Sequence, residues 1–123
     1  MRAPVNDAVL FDEASALSVG AALFHSLSDP ARLAIVRHLS LGEHRVVDLT
    51  AHLGLAQSTV SAHLACLRDC GLVVSRPQGR ASWFSLAHSE VLDLLSCAER
   101  LLVATGDAVA LCPVYGEKRH RER

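Results

Sequence analysis

Apolar residues recur along this chain at a helical period, broken at intervals by glycine, proline and short polar runs. From Leu10 to Leu27, apolar Phe11, Ala14, Leu17, Ala21, Phe24 and Leu27 return every three or four residues and predict a first helix that is apolar over a wide arc. Such an arc is either a subunit interface or is buried within the protomer. Ser28-Asp29-Pro30 is a helix start: Asp29 can cap the next helix, and Pro30 suits its first position. Leu33, Val36 and Leu39 mark the buried side of that helix, and Leu41-Gly42 ends it. Glu43 to Arg45 reads as a polar connector. Val46 to Leu53 predicts a short helix with Val46, Leu49 and Leu53 inward, and Gly54-Leu55-Ala56 is a tight break.

The stretch from Gln57 to Gly71 predicts a helix with three distinct faces. At about 100° per residue, Val60, Leu64 and Leu67 share one apolar stripe. Ser58, Ser61, Ala62 and Ala65 lie roughly opposite. Solvated faces usually carry Lys and Glu, whereas this small, hydroxyl-bearing face suits close approach to a DNA groove. A third stripe carries His63, Cys66 and Cys70, which are soft-metal or redox residue types, and Gly71 is placed to end the helix. A short helix, a Gly-containing turn and such a helix form the helix-turn-helix pattern over 46–71. Leu72 to Arg76 predicts a strand, Pro77-Gln78-Gly79-Arg80 a turn, and Ala81 to Leu86 the return strand, giving a wing over 72–87. Arg76 and Arg80 stand near its tip, either against phosphates or the minor groove, or as plain solvated turn residues.

Ser89 to Thr105 predicts a last amphipathic helix with Val91, Leu94, Leu95, Ala98, Leu101 and Leu102 on its apolar side. With the first helix (10–28), this element (89–105) supplies more apolar surface than a small reading head needs, and a two-fold dimer would bury it. Cys112 falls in an apolar stretch after Gly106, and the ends, 1–9 and 116–123, are expected to be flexible. The pattern as a whole is one domain over 1–123. It is mostly α with a small β-hairpin: a winged helix-turn-helix, α-α-α-α-β-β-α, as a homodimer.

Composition narrows the function. The chain has 123 residues, half of them hydrophobic and only 4% aromatic, so the core is Leu, Val and Ala. A net charge of −1 and a pI of about 6.6 argue against non-specific coating of nucleic acid but leave room for a sequence-specific reader. Four cysteines without a signal-peptide pattern point to a reducing, cytoplasmic setting with free thiols. No apolar run approaches the roughly 18 residues of a membrane span. No nucleophile–base pair or open metal site argues for an enzyme.

Four stretches together carry a resemblance: Leu27 to Val36, Asp48 to Leu55, Gln57 to Val73 and Gly79 to Leu86. They resemble the ArsR/SmtB family of metal-responsive repressors from about Ala14 to Ala104. The resemblance implies a winged-helix homodimer, paired through its first and last helices, that leaves an inverted-repeat operator when metal binds. By position it implies DNA contacts from Gln57, Ser58, Ser61 and Ala62, with Thr59 on a phosphate and Arg76 and Arg80 on the wing. Ala62 departs from the His or Asn of many relatives.

The family's alternative metal positions sort as follows. Its Cys-x-Cys-Asp-Leu-like site falls on Arg45-Val46-Val47-Asp48-Leu49, which has no thiol. Its last-helix site could start at His88 and Glu90, but the partner positions are Leu101 and Ala104, which cannot ligate. Cys66, Cys70 and Cys112 resemble the CmtR-type cadmium/lead-sensor branch, in which the C-terminal thiol comes from the other protomer. Residues at i and i+4 stand about 5–6 Å apart at Cβ, so two thiolates can reach one soft ion: Cd(II), Pb(II), or Zn(II) as a borderline competitor. His63 is expected to pack and hydrogen-bond rather than ligate, and Cys97 to be core. The competing readings are a thiol redox switch, joining Cys66 or Cys70 to Cys112 or Cys97, and a protein-interaction module that has lost DNA binding.

Overall fold

The computed structural model describes residues 12–111. Cys112 and both expected flexible ends lie outside the described residues. Helix α1 (Glu13–Ser26) is capped by Asp12, whose Oδ1 accepts from the Ser15 N–H at 2.8 Å. Helix α2 (Pro30–Leu39) opens as its start signal predicts: Asp29 Oδ1 accepts from the N–H of Ala31 at 2.7 Å and of Arg32 at 3.3 Å, and Pro30 takes the first helical position. Its buried side is Ile35, Val36 and Leu39, with Leu33 only half-buried, so the stripe is rotated slightly from the one expected.

The expected polar connector is a strand. His44–Arg45 forms β1 and pairs antiparallel with β3 (Ala81–Leu86), His44 opposite Phe84 and Arg45 opposite Trp83. The cause lies across the sheet, because the Arg45 guanidinium packs over the Trp83 ring 5.2 Å from its centroid. The predicted hairpin is therefore a three-stranded sheet, ordered β1-β3-β2, with β2 spanning Val73–Gln78. Pro77 and Gln78 belong to that strand rather than to the turn. Pro77 is tolerated because β2 is an edge strand. Gln78 pairs with Ala81, so the loop is Gly79-Arg80 alone, and Gly79 at φ 65° supplies the positive φ that a tight hairpin needs at its first loop position.

Helices α3 (Val46–Leu53) and α4 (Gln57–Asp69) form the helix-turn-helix at the residues expected. Between them Gly54 sits in the left-handed region at φ 68° and returns its N–H to Thr50 O. Helix α4 ends in a two-bond C-terminal closure. The N–H of Gly71 donates to Arg68 O and that of Leu72 to Leu67 O, with Gly71 at φ 78°. Helix α5 (Glu90–Ala104) buries Val91, Leu95 and Glu99.

One core unites these elements: Ile35, Val36, Leu49, Val60, Leu64, Leu67, Val73, Phe84 and Leu95 among others. Helix α1 adds little to it. Leu17, Val19 and Phe24 are 65%, 58% and 61% exposed, as are Leu101 and Val103 of α5 at 64% and 51%. Burial within the protomer is thus not how α1 covers its apolar arc. Cys97 is exposed on α5, not core as expected.

The junction of α2, β1 and α3 gathers three histidines that no local pattern relates. His38 stacks on His52 with ring centroids 5.0 Å apart, and His44 meets both rings edge-on at 6.1 and 5.7 Å. His44 Nδ1 lies 2.9 Å from Gly42 O, and because a carbonyl only accepts, Nδ1 carries the proton. Burial, then the neighbouring His52, His44 and Arg37, holds the His38 pKa below its ordinary value.

Two outcomes follow from this packing. Ile35→Ala, at a fully buried site, should cost about 2–5 kcal/mol in denaturant unfolding, whereas Val47→Ala, at an exposed one, should stay within about 0.5 kcal/mol. With the His38 pKa lowered in the fold, the unfolded chain takes up the proton first. Stability is therefore intact above the ordinary His value of about 6.5 and falls as pH drops below it. Melting temperatures between about pH 7 and 5 should decline less in His52→Gln than in the wild type; equal declines would remove the cluster as the cause.

Candidate nucleic-acid interface and metal centre

Helix α4 keeps the three faces read from its sequence. Val60, Leu64 and Leu67 are buried in the core, while Gln57, Ser58, Thr59, Ser61 and Ala62 are all exposed. The exposed set starts at the first residue of the helix, where free backbone N–H groups and the positive end of the dipole favour an anion such as phosphate.

The orientation of α4 is held from behind by Arg32 of α2. Its Nε donates to Ser26 O at 2.6 Å, its Nη2 to His25 O at 3.0 Å, and its Nη1 lies 3.4 Å from His63 Nδ1. A guanidinium only donates, so His63 Nδ1 accepts and the Nε2 side faces Asp29, 4.0 Å from its Oδ1. His63 therefore packs and hydrogen-bonds, as its position suggested. Arg32 and Ser26 were not singled out in the sequence; Arg32 sits two residues past the Pro30 start and looks like any first-turn cation.

The wing arginines differ from one another. Arg76 forms a fork on Glu43, Nε to Oε2 and Nη2 to Oε1 both at 2.8 Å, and its Nη1 donates to Gln78 Oε1 at 2.9 Å. That pairing lowers the Glu43 pKa and raises that of Arg76. Arg80 stands exposed in the loop itself. Glu43 comes from the segment before β1, so no spacing along the hairpin announced it.

The position of the family's Cys-x-Cys-Asp-Leu-like site is occupied by an ion pair. Asp48 accepts from the Arg45 backbone N–H at 2.9 Å and from the Arg45 guanidinium at 3.1 and 3.0 Å, which holds its pKa down to about 2. At the start of the last helix, His88 and Glu90 are exposed, as are Leu101 and Ala104, which offer no ligand.

Cys66 is half-buried and Cys70 exposed, one turn apart at the C-terminal end of α4. The Ser26 hydroxyl reaches the Cys70 sulfur at 2.9 Å. Among the described residues, no three His, Cys, Asp or Glu side chains are grouped to hold a metal ion. Cys112 lies outside the described residues. The residue before it, Leu111, donates its N–H to the carboxylate of Glu99, a side chain 1% exposed, and rests against the core. Glu99 was invisible beforehand because a glutamate within an apolar stripe is expected to face water.

Residues 29–75 match the model of the bacterial regulatory proteins of the arsR family. The chain is 35% identical over 102 residues to a probable mercury resistance operon repressor of Streptomyces lividans, covering 80% of this chain and 82% of that one. It is 42% identical over 84 residues to the transcriptional regulator CmtR of Mycobacterium bovis, covering 68% and 71%. The solution structure of a homodimeric winged helix-turn-helix DNA-binding domain from Mycobacterium bovis, a possible ArsR-family regulator, superposes with a TM-score of 0.67 at 28% identity over 75% of this chain and 86% of that one. The fold, the length of the match and the relatives agree: the chain belongs to the ArsR family of DNA-binding transcriptional regulators, on its CmtR-like branch.

Proposed function

We propose that this ArsR-family repressor is a homodimer on inverted-repeat operator DNA. In this reading it lets go when Cys66, Cys70 and Cys112 take a soft metal ion, Cd(II) or Pb(II), with Zn(II) a borderline competitor. The observation that carries the reading is the division of labour on one helix. The exposed face of α4 offers Gln57, Ser58, Ser61 and Ala62 to bases and Thr59 to a phosphate, while Cys66 and Cys70 stand on a different face of the same rigid element.

The donor chemistry fits a soft cation. Two thiols one turn apart can rotate toward a single ion, and thiolate ligands select soft metals. The two described thiols do not complete a site, and the third, Cys112, follows directly on Leu111, which Glu99 ties to α5. When bound, the metal supplies thiolate bonds that join α4 to the segment carrying Cys112. Everything else belongs to the chain. The C-terminal half of α4 would be tied to the C-terminal segment of the partner protomer, and the rigid helix would pass any tilt to Gln57 and Ser58 at its other end. A coupling of about 1–3 kcal/mol would lower operator affinity some 5–150-fold. The exposed apolar arcs of α1 and α5 are the surfaces this reading assigns to the dimer, and the homodimeric state of a neighbour of the same fold supports it. Similarity to a probable mercury resistance repressor and to CmtR supports a thiophilic effector.

An ultraviolet titration of reduced protein with Cd(II) tests the site. A thiolate-to-metal charge-transfer band should saturate at about one ion per protomer and weaken in Cys66→Ser, Cys70→Ser and Cys112→Ser. Absence of the band in the wild type, with operator release on peroxide treatment instead, would replace metal sensing by the redox switch.

Salt-dependent operator binding by fluorescence anisotropy tests the DNA face. Arg80→Ala should weaken binding and lower the slope of log affinity against log salt by about one. Arg76→Ala should do less, since Glu43 already occupies that guanidinium. Glu43→Gln should tighten binding by releasing it. Equal losses from both arginine variants, with no gain from Glu43→Gln, would show that the ion pair opens freely on DNA.

A further inference from the structure

Ser26 is the last residue of α1 and is 1% exposed. Its hydroxyl oxygen lies 2.9 Å from Ala22 O within its own helix and 2.9 Å from the Cys70 sulfur on α4. Its carbonyl accepts from Arg32 Nε, and the same guanidinium reaches His63 of α4. The end of α1 is thus fastened to α4 at two points, through Cys70 and, by way of Arg32, through His63.

A hydroxyl has one proton to donate, and here two acceptors stand within reach of it. With Cys70 as a thiol, all partners can be satisfied in a chain: the S–H donates to Ser26 Oγ, and the Ser26 O–H donates to the Ala22 carbonyl. As a metal ligand Cys70 would be a thiolate: its S–H proton would have left to solvent, and its sulfur could only accept. Two acceptors then compete for one proton. The anionic sulfur makes the stronger, charge-assisted bond, so the Ser26 O–H turns to Cys70 and leaves the Ala22 carbonyl with its helical N–H partner alone.

We propose that Ser26 is a positioning residue for the thiol site, whose hydroxyl donates to Ala22 when Cys70 is a thiol and to Cys70 when that sulfur is a metal ligand. Occupancy of α4 is thereby passed to α1, the helix with the exposed apolar arc. This rests on the reading of Cys70 as a ligand. Partners one shell beyond a ligand typically change metal affinity about 10–100-fold. The route is local, because the Ser26 hydroxyl is buried and touches both helices directly.

The test uses the full chain in three forms: wild type, Ser26→Ala, and Ser26→Thr, which keeps a hydroxyl able to reach the carbonyl one turn back. In Ser26→Ala the Cd(II) charge-transfer band should persist at the wild-type stoichiometry, with affinity lowered about tenfold or more and a smaller Cd(II)-driven release of operator DNA. Ser26→Thr should restore both. In the wild type, the carbonyl-carbon resonance of Ala22 should move on adding Cd(II), a readout that needs no variant and so survives misfolding of Ser26→Ala. An unmoved Ala22 resonance, or wild-type affinity and release in folded Ser26→Ala, would overturn the role of Ser26 while leaving the site intact. No charge-transfer band in the wild type would overturn the thiolate reading itself, and Ser26 with it.

Discussion

Burial of Val60, Leu64 and Leu67 fixes the rotation of α4 about its axis, and most of what this protein can do follows from that rotation. Once the three side chains are locked into a core of α2, α3, α5 and the sheet, the helical repeat leaves no freedom for the rest. Ser58, Ser61 and Ala62 must face away from the protein, and Cys70 must face the flank where α1 ends. A one-residue change in register would turn the thiols by about 100° and bury hydroxyls against leucines. The hydrophobic stripe is therefore also what specifies which residues of α4 face solvent and which face its flank.

The polar contacts around α4 refine this orientation rather than create it. Arg32 links the end of α1, the start of α2 and His63 by geometry that only a planar fork can satisfy. Asp29 both caps α2 and lies beside His63, so the same carboxylate starts one helix and faces the other. At the start of α3, the Asp48 carboxylate accepts from the Arg45 N–H and guanidinium while that guanidinium covers Trp83, which joins the helix to the sheet. Arg32 and Asp29 thus hold α4 through His63, away from its exposed residues.

Much of this was legible in the sequence because its causes are local. Asp29-Pro30, Gly54 and Gly71 set element ends through backbone geometry that neighbouring residues decide, and the bounds of α3 fell where expected. The faces of α4 could be read because periodicity needs no knowledge of the partner. What escaped was made across distance. His44–Arg45 has no strand pattern of its own and pairs only because β3 brings Trp83 alongside. Arg76 looked free because Glu43 lies 33 residues away. Cys97 looked like core because an apolar stripe does not tell which part of it a protomer covers and which it leaves exposed. Ser26 carried no signal at all, since a serine ending a helix is ordinary until its hydroxyl is found buried against a sulfur.

Cys70 stands where the end of α1 meets α4. Helix α4 faces outward from the core with its reading side, and α1 faces outward with Leu17, Val19 and Phe24. A ligand on the reading face would compete with DNA directly, and one in the core would have to break packing to enter. A ligand on the flank would do neither, because Val60, Leu64 and Leu67 are buried on a different face from Cys66 and Cys70. The direct contact there is the hydrogen bond between Ser26 and Cys70, and such a bond is worth about 1 kcal/mol net and more when a charge is involved. That is the scale a regulatory coupling needs: large against thermal energy, and small against the core that keeps both helices in place.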